Sequence, residues 1–164
     1  MHSWLSYREG GLGGHLMKGI KYGGLESLGE YLGARFAQDW INLSTLIPPD
    51  IIVPIPITRR KRKKRGYNQS EAIARGWSSV AQIPLEPKLL KRKHQALQQT
   101  QLSRWDRFSN VENAFEWDIK KCAKYKHILI FDDTTTTGAT LEAAARPLIS
   151  KGHRVSFATL AYVE

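Results

Sequence analysis

Residues 126–143 read KHILIFDDTTTTGATLEA, and this stretch decides the fold. Ile128 to Phe131 form a short apolar run of the kind buried inside a sheet. The run ends in Asp132 and Asp133, then Thr134 to Thr137, Gly138 and a segment of helical character. The pattern predicts a strand over 127–132, a helix from about Gly138 to Ser150, and Gly152 as its stop. Pro147 falls deep in that helix, where proline removes a hydrogen bond and crowds the preceding turn, so a kink or an early end is expected.

A turn that leaves a strand and opens a helix presents unpaired backbone N–H groups at the positive end of the helix dipole. Thr136, Thr137 and Thr140 add hydroxyls there, and Gly138 lets the backbone come close to a guest. Phosphate suits such a turn. Asp132 and Asp133 would repel it unless they face sugar hydroxyls or a magnesium ion. A sugar phosphate with free vicinal hydroxyls meets both demands. Helix capping and a polar turn explain an isolated DD or TTG, but not the whole string. A nucleoside-triphosphatase reading needs a G-x-x-x-x-G-K-[ST] loop, which the chain lacks, and GGLGG near the N-terminus misses the G-x-G-x-x-G spacing.

Upstream, residues 13–22 read as a short helix broken by Gly23-Gly24, and Leu25, Leu28, Leu32, Phe36 and Trp40 mark a second amphipathic helix to about residue 42. Pro48-Pro49 precede IIVPIPIT, a buried strand at 51–57, and the basic run after it is expected as a loop. NQSE at 68–71 resembles a capping box that opens a helix with Ile73, Ala74, Trp77 and Val80 inward. Pro84 and Pro87 bracket a return to extended chain, LEPKLLKRK. Residues 94–109 are polar and weakly periodic, a long mobile excursion, and 113–117 read as a short strand. A last strand follows at 154–162. Strands alternating with helices imply an α/β fold with a mainly parallel sheet flanked by helices. Ligands bind such sheets beyond the carboxyl ends of the strands, which puts Asp132-Asp133 and the end of IIVPIPIT on one rim.

A single domain over 1–164 is expected, long enough for a sizeable core. An apolar fraction of 41% and a charged fraction of 24% are those of an ordinary globular chain. No stretch is apolar enough for a membrane span, and the N-terminus shows no export signal, so a cytoplasmic location is expected. Cys122 is the only cysteine, which excludes an internal disulfide or a multi-cysteine zinc site and leaves it as a small filler residue. The net charge is +10, and seven cations stand together in RRKRKKR, Arg59 to Arg65. That balance implies polyanionic company, either phosphorylated small molecules or nucleic acid.

ILIFDDTTTTGAT resembles the phosphoribosyl pyrophosphate (PRPP) signature of type I phosphoribosyltransferases. IKY at 20–22, VPIPIT with RGYNQSE at 53–71, and QTQLSR with FSNVENAF at 99–115 narrow the resemblance to ComF-type competence phosphoribosyltransferases. It spans about residues 7–162. The resemblance implies that Asp132 and Asp133 hold the ribose hydroxyls, that Thr136, Thr137, Gly138, Ala139 and Thr140 hold the 5-phosphate, and that Thr58 and Arg59 border the pyrophosphate. It also implies Mg²⁺ carried mainly by PRPP oxygens, with no direct protein ligand set, and a role in natural transformation beside single-stranded DNA and DNA-uptake proteins. Full-length relatives usually begin with a four-cysteine zinc module, which has no counterpart in this sequence, and Thr134 and Ala96 depart from the usual residues. Thr136 stands where purine-salvage relatives carry an acid, which argues against a purine acceptor.

Within the basic run, a solvated loop is the plain reading. The run also leaves the rim of the expected site, where aimed cations stabilise charge building on expelled pyrophosphate. Arg65 is the member assigned that catalytic role, alongside Asp132 and Asp133. Arg60, Lys61, Arg62 and Lys63, with Lys91, Arg92 and Lys93, are the nucleic-acid candidates, with Tyr67 and Trp105 as aromatic faces among them. His94 receives no role. The acceptor of the phosphoribosyl group is unidentified, and a non-catalytic binder of single-stranded DNA that uses PRPP as a ligand is the rival reading.

Overall fold

A computed structural model of the chain describes residues 2–7, 11–42, 47–93 and 114–163. The first half comprises β1 (His2–Tyr7), α1 (Leu12–Tyr22), α2 (Glu26–Asn42), β2 (Ile51–Pro54), α3 (Arg59–Arg65) and α4 (Gln69–Ala81). The second comprises β3 (Leu90–Arg92), β4 (Phe115–Trp117), α5 (Ile119–Cys122), β5 (His127–Thr135), α6 (Ala139–Ile149) and β6 (Arg154–Val163). Four strands pair in parallel in the order β1-β6-β5-β2, and β3 pairs antiparallel with β4 in a small separate sheet.

Successive side chains of a strand point to opposite faces, and in β2 and β5 both faces are apolar. Ile51, Val53, Ile128 and Ile130 pack on one face with Leu141, Ala144 and Leu148 of α6 and with Trp117 of β4. Ile52, Leu129 and Phe131 pack on the other with Phe36 of α2 and Ile73 and Trp77 of α4. The helices that follow β2 and β5 therefore cover opposite faces of two adjacent strands. Their paths diverge at the carboxyl ends of those strands, and a crevice opens there. At the far end, Asp50 accepts the backbone N–H groups of His127 and Lys126 at 2.9 and 2.7 Å, which ties the start of β2 to β5.

Two glycines set the close approach of α2 and α4. A Cβ on Gly33 would lie 1.9 Å from the Ile73 carbonyl oxygen, and one on Gly76 would lie 1.8 Å from that of Glu30.

Several elements differ from the sequence expectation for definable reasons. The basic run is not a loop but helix α3. Thr58 caps it by accepting the Lys61 N–H at 3.2 Å, Gly66 ends it at φ 84°, and Lys and Arg are good helix formers once capped. β2 ends at Pro54, short of residue 57, while β5 runs past Asp133 to Thr135 because β6 continues to pair with it there, Thr135 against Tyr162. Asn68 precedes α4 without a side-chain cap: its amide donates to the Ile55 carbonyl at 3.0 Å, tying α4 to the end of β2. Pro147 lies inside α6 but in its last turn, with one further turn of hydrogen bonds ending at Gly152. The N-terminal strand β1 has no counterpart in the expected elements. Residues 94–113, with the expected excursion at 94–109, His94, Ala96, Trp105 and the QTQLSR motif, lie outside the described residues, and the expected strand at 113–117 is described from Phe115.

Candidate functional site

β5 carries Asp132 and Asp133 out of the core at the carboxyl edge of the sheet. Asp132 Oδ1 accepts the Ser70 hydroxyl of α4 at 2.8 Å and the Asp133 backbone N–H at 2.8 Å. Burial, with Asp133 beside it, pushes the Asp132 carboxyl up to about 7. Asp133 Oδ1 accepts the Thr134 N–H at 2.7 Å, and its Oδ2 lies 3.6 Å from the Lys21 ammonium. Lys21 in turn donates to the Thr134 hydroxyl at 2.8 Å. Lys21 belongs to the IKY motif, and sequence alone gives it no role. Its partner stands 113 positions away, and only the docking of α1 against β5 reveals the pairing.

The chain then turns through Thr136 and Thr137, which are exposed, to Gly138 at φ 78° and into α6. That left-handed geometry favours glycine and aims the first turn of α6 back at the strand ends. Asp132 and residues 134–140 line a small pocket of about 80 Å³ here. Thr137 Oγ1 accepts the Ala139 N–H at 3.4 Å. The pocket's walls are hydroxyls and the amino end of an eleven-residue helix, a setting that favours a compact anion.

A larger cleft of about 230 Å³ adjoins it, sharing Asp132, Thr134 and Thr140. Its other walls are Asp133, the segment Ile55-Pro56-Ile57 after β2, and four cations from three elements: Lys21, Lys61, Arg65 and Arg92. The cleft thus holds carboxylates on the β5 side with cations around them. Arg92 is exposed, yet partial desolvation at the cleft wall draws its guanidinium below its ordinary value, and its carbon lies 5.3 Å from the centroid of the Phe115 ring.

The helical form of the basic run sorts its seven cations. Lys61 and Arg65, one turn apart, share the face toward the cleft. Arg62 pairs with Glu71 at 3.7 Å. Arg59, Arg60, Lys63 and Lys64 are exposed. Thr58 serves as the α3 cap, and Arg59 does not line the cleft, whereas Lys61, read from sequence as a nucleic-acid residue, does. Of Lys91, Arg92 and Lys93, only Arg92 reaches it. Tyr67 is no aromatic face: it is buried, and its hydroxyl donates to the Ile20 carbonyl.

No family profile matches the chain. Among solved structures, the allosteric regulatory enzyme of purine biosynthesis superposes with a TM-score of 0.51 at 16% identity, over 83% of this chain and 25% of that one. The likeness is one of fold: an α/β arrangement whose parallel sheet is flanked by helices. Competence protein F of Haemophilus influenzae is 32% identical over 123 residues, 74% of this chain and 52% of that protein. Competence protein ComFC of Bacillus subtilis is 28% identical over 131 residues, 78% and 51% of the two chains, and DNA utilization protein YhgH of Escherichia coli is 31% identical over 104 residues, 63% and 45%. The chain is similar to these competence and DNA-utilization proteins. It spans about half the length of the curated relatives it matches. Among the described residues, no helix is long and apolar enough to cross a membrane.

Proposed function

We propose that the protein binds PRPP with Mg²⁺ and displaces its pyrophosphate, in the service of DNA uptake. The observation that carries this reading is the joining of two pockets at Asp132: one of hydroxyls and a helix amino end, one of carboxylates ringed by cations. The 5-phosphate fits the turn at 136–140, the ribose hydroxyls fit Asp132 and Asp133, and pyrophosphate fits Lys61, Arg65 and Arg92. The competence and DNA-utilization names of the relatives supply the process.

Mg²⁺ suits this cleft as an ion borne by the ligand. Among the described residues, no cluster of three or more His, Cys, Asp or Glu could hold it. Asp132 and Asp133 are the carboxylates that line the cleft, in keeping with an ion that keeps waters and phosphate oxygens. When bound, the ion neutralises charge on pyrophosphate. The chain's own residues orient the sugar and stabilise the leaving group. The bond from the anomeric carbon to pyrophosphate breaks, its electron pair leaves with pyrophosphate, and the acceptor's lone pair forms the new bond through an oxocarbenium-like transition state. The protein contributes no covalent nucleophile, only position and charge complementarity.

The exposed cations of α3 favour a second reading, a binder of single-stranded DNA that uses PRPP as a ligand without turnover. Release of pyrophosphate from PRPP, assayed with and without candidate acceptors, separates the two. Binding is tested apart from turnover: PRPP with Mg²⁺ raises the melting temperature if it binds the native state alone. No such rise would remove both readings.

A further inference from the structure

We propose that Tyr22 is a nucleobase-stacking platform at the mouth of the cleft, and that the base it receives belongs to a single-stranded nucleic acid whose phosphates run along α3. This deepens the nucleic-acid side of the reading above and rests on it for the process, not for the site.

Tyr22 is the last residue of α1, and its side chain is 65% exposed. The Arg65 guanidinium lies 5.1 Å from its ring centroid and the Lys64 ammonium 6.0 Å. The end of α1 is held in place on two sides. The Ile20 carbonyl accepts the buried Tyr67 hydroxyl, and Lys21 reaches into the cleft to Thr134. The ring is thus an open aromatic surface on a fixed support, backed by cations that continue along α3. Every base has a π-face to offer such a ring, and neighbouring cations take the phosphates on either side. Tyr31 and Tyr162 are also exposed, but among the described residues no Lys or Arg lies over either ring. Arg65 also lines the cleft and donates to Gln69 at 2.8 Å, so the stacked base would sit one side chain away from the phosphoribosyl ligand.

The test measures binding of a labelled oligothymidylate to the wild type and to Tyr22→Ala, Tyr22→Leu and Tyr22→Trp, across a salt series. Affinity should fall about tenfold or more in the Ala and Leu variants and hold in Trp. The salt slope should stay unchanged, because stacking releases no counterions. A parallel arm titrates free thymine and adenine. Weakening confined to the free bases would overturn the assignment to a strand and leave the ring to a small acceptor. Wild-type affinity in Tyr22→Ala for both probes, full retention by Leu, or failure of the wild type to bind either probe would overturn the proposal. The rise in melting temperature with PRPP should survive in Tyr22→Ala, so loss of the PRPP reading and loss of this one are told apart.

Discussion

Two strand-to-helix junctions meet across the cleft, and they are built on opposite principles. β5 passes into α6 through acids, hydroxyls and a glycine at φ 78°. β2 passes through Ile55-Pro56-Ile57 into α3, a helix of Lys and Arg only, capped by Thr58. The first junction is partly enclosed and specific in shape: Asp132 is fixed by Ser70 and Asp133 by Lys21. The second is mostly exposed, and just Lys61 and Arg65 turn toward the cleft. Shape should therefore govern what the β5 side accepts, while the α3 side contributes charge that salt can screen.

The largest expected effect comes from erasing the acidic side. Replacing Asp132 and Asp133 together by Asn should abolish the rise in melting temperature with PRPP and Mg²⁺, while circular dichroism of the ligand-free protein stays that of the wild type. Undiminished stabilisation in the double variant would move the sugar away from this junction.

The next effect concerns stability against pH. In the folded, ligand-free protein Asp132 keeps its proton up to about pH 7, whereas an unfolded Asp loses it near pH 3.9. A raised folded value contributes stability that is full below the unfolded value and is lost as pH rises through the folded one. Above that value the charge, poorly solvated and beside Asp133, weighs against folding. Asp132→Asn alone should accordingly raise the melting temperature at pH 8 and leave it little changed at pH 3.5, in step with a loss of PRPP binding. Equal shifts at both pH values would contradict the assignment of that carboxyl as the titrating group.

The acidic junction was legible because its chemistry is contiguous: a run from Ile128 to Thr140 carries strand, acids, turn and helix start in one line. The basic junction was legible in charge but not in direction. Seven like residues have no hydrophobic period, so neither helix nor facing could be read from them, and the cap at Thr58 looks like any Thr after a strand. The buried faces of β2 and β5 announced themselves by β-branched runs, whereas β1, an edge strand of mixed burial, did not. Lys21 and Ser70 were invisible as site residues because their partners stand 113 and 62 positions away.

A smaller effect tests the facing of α3 directly. Lys61→Ser with Arg65→Ser should weaken PRPP about tenfold or more, the scale of charged hydrogen bonds in a cleft. Arg60→Ser with Lys63→Ser, which removes the same charge from the exposed side, should leave PRPP affinity unchanged in calorimetry. Equal losses in the two pairs would mean that net charge alone, not position on the helix, serves the ligand.

The finest distinction lies in the outward cations. Counterion release makes log affinity for single-stranded DNA fall linearly with log salt, by about 0.7 per phosphate neutralised. Arg59, Arg60 and Lys63 are exposed, and among the described residues none is paired with an acid, so each is free to meet a phosphate. Arg62 is engaged by Glu71 and should contribute less. Replacing Arg59, Arg60 and Lys63 by Ser should make the slope shallower by about 0.7 for each phosphate no longer neutralised, while Arg62→Ser alone should change it by less than one such step. Because that effect is small, the slope and not the affinity at one salt concentration is the quantity to measure. A slope unmoved by the triple substitution would leave the outer face of α3 as a solvated surface and confine the run's function to the two cations that face the cleft.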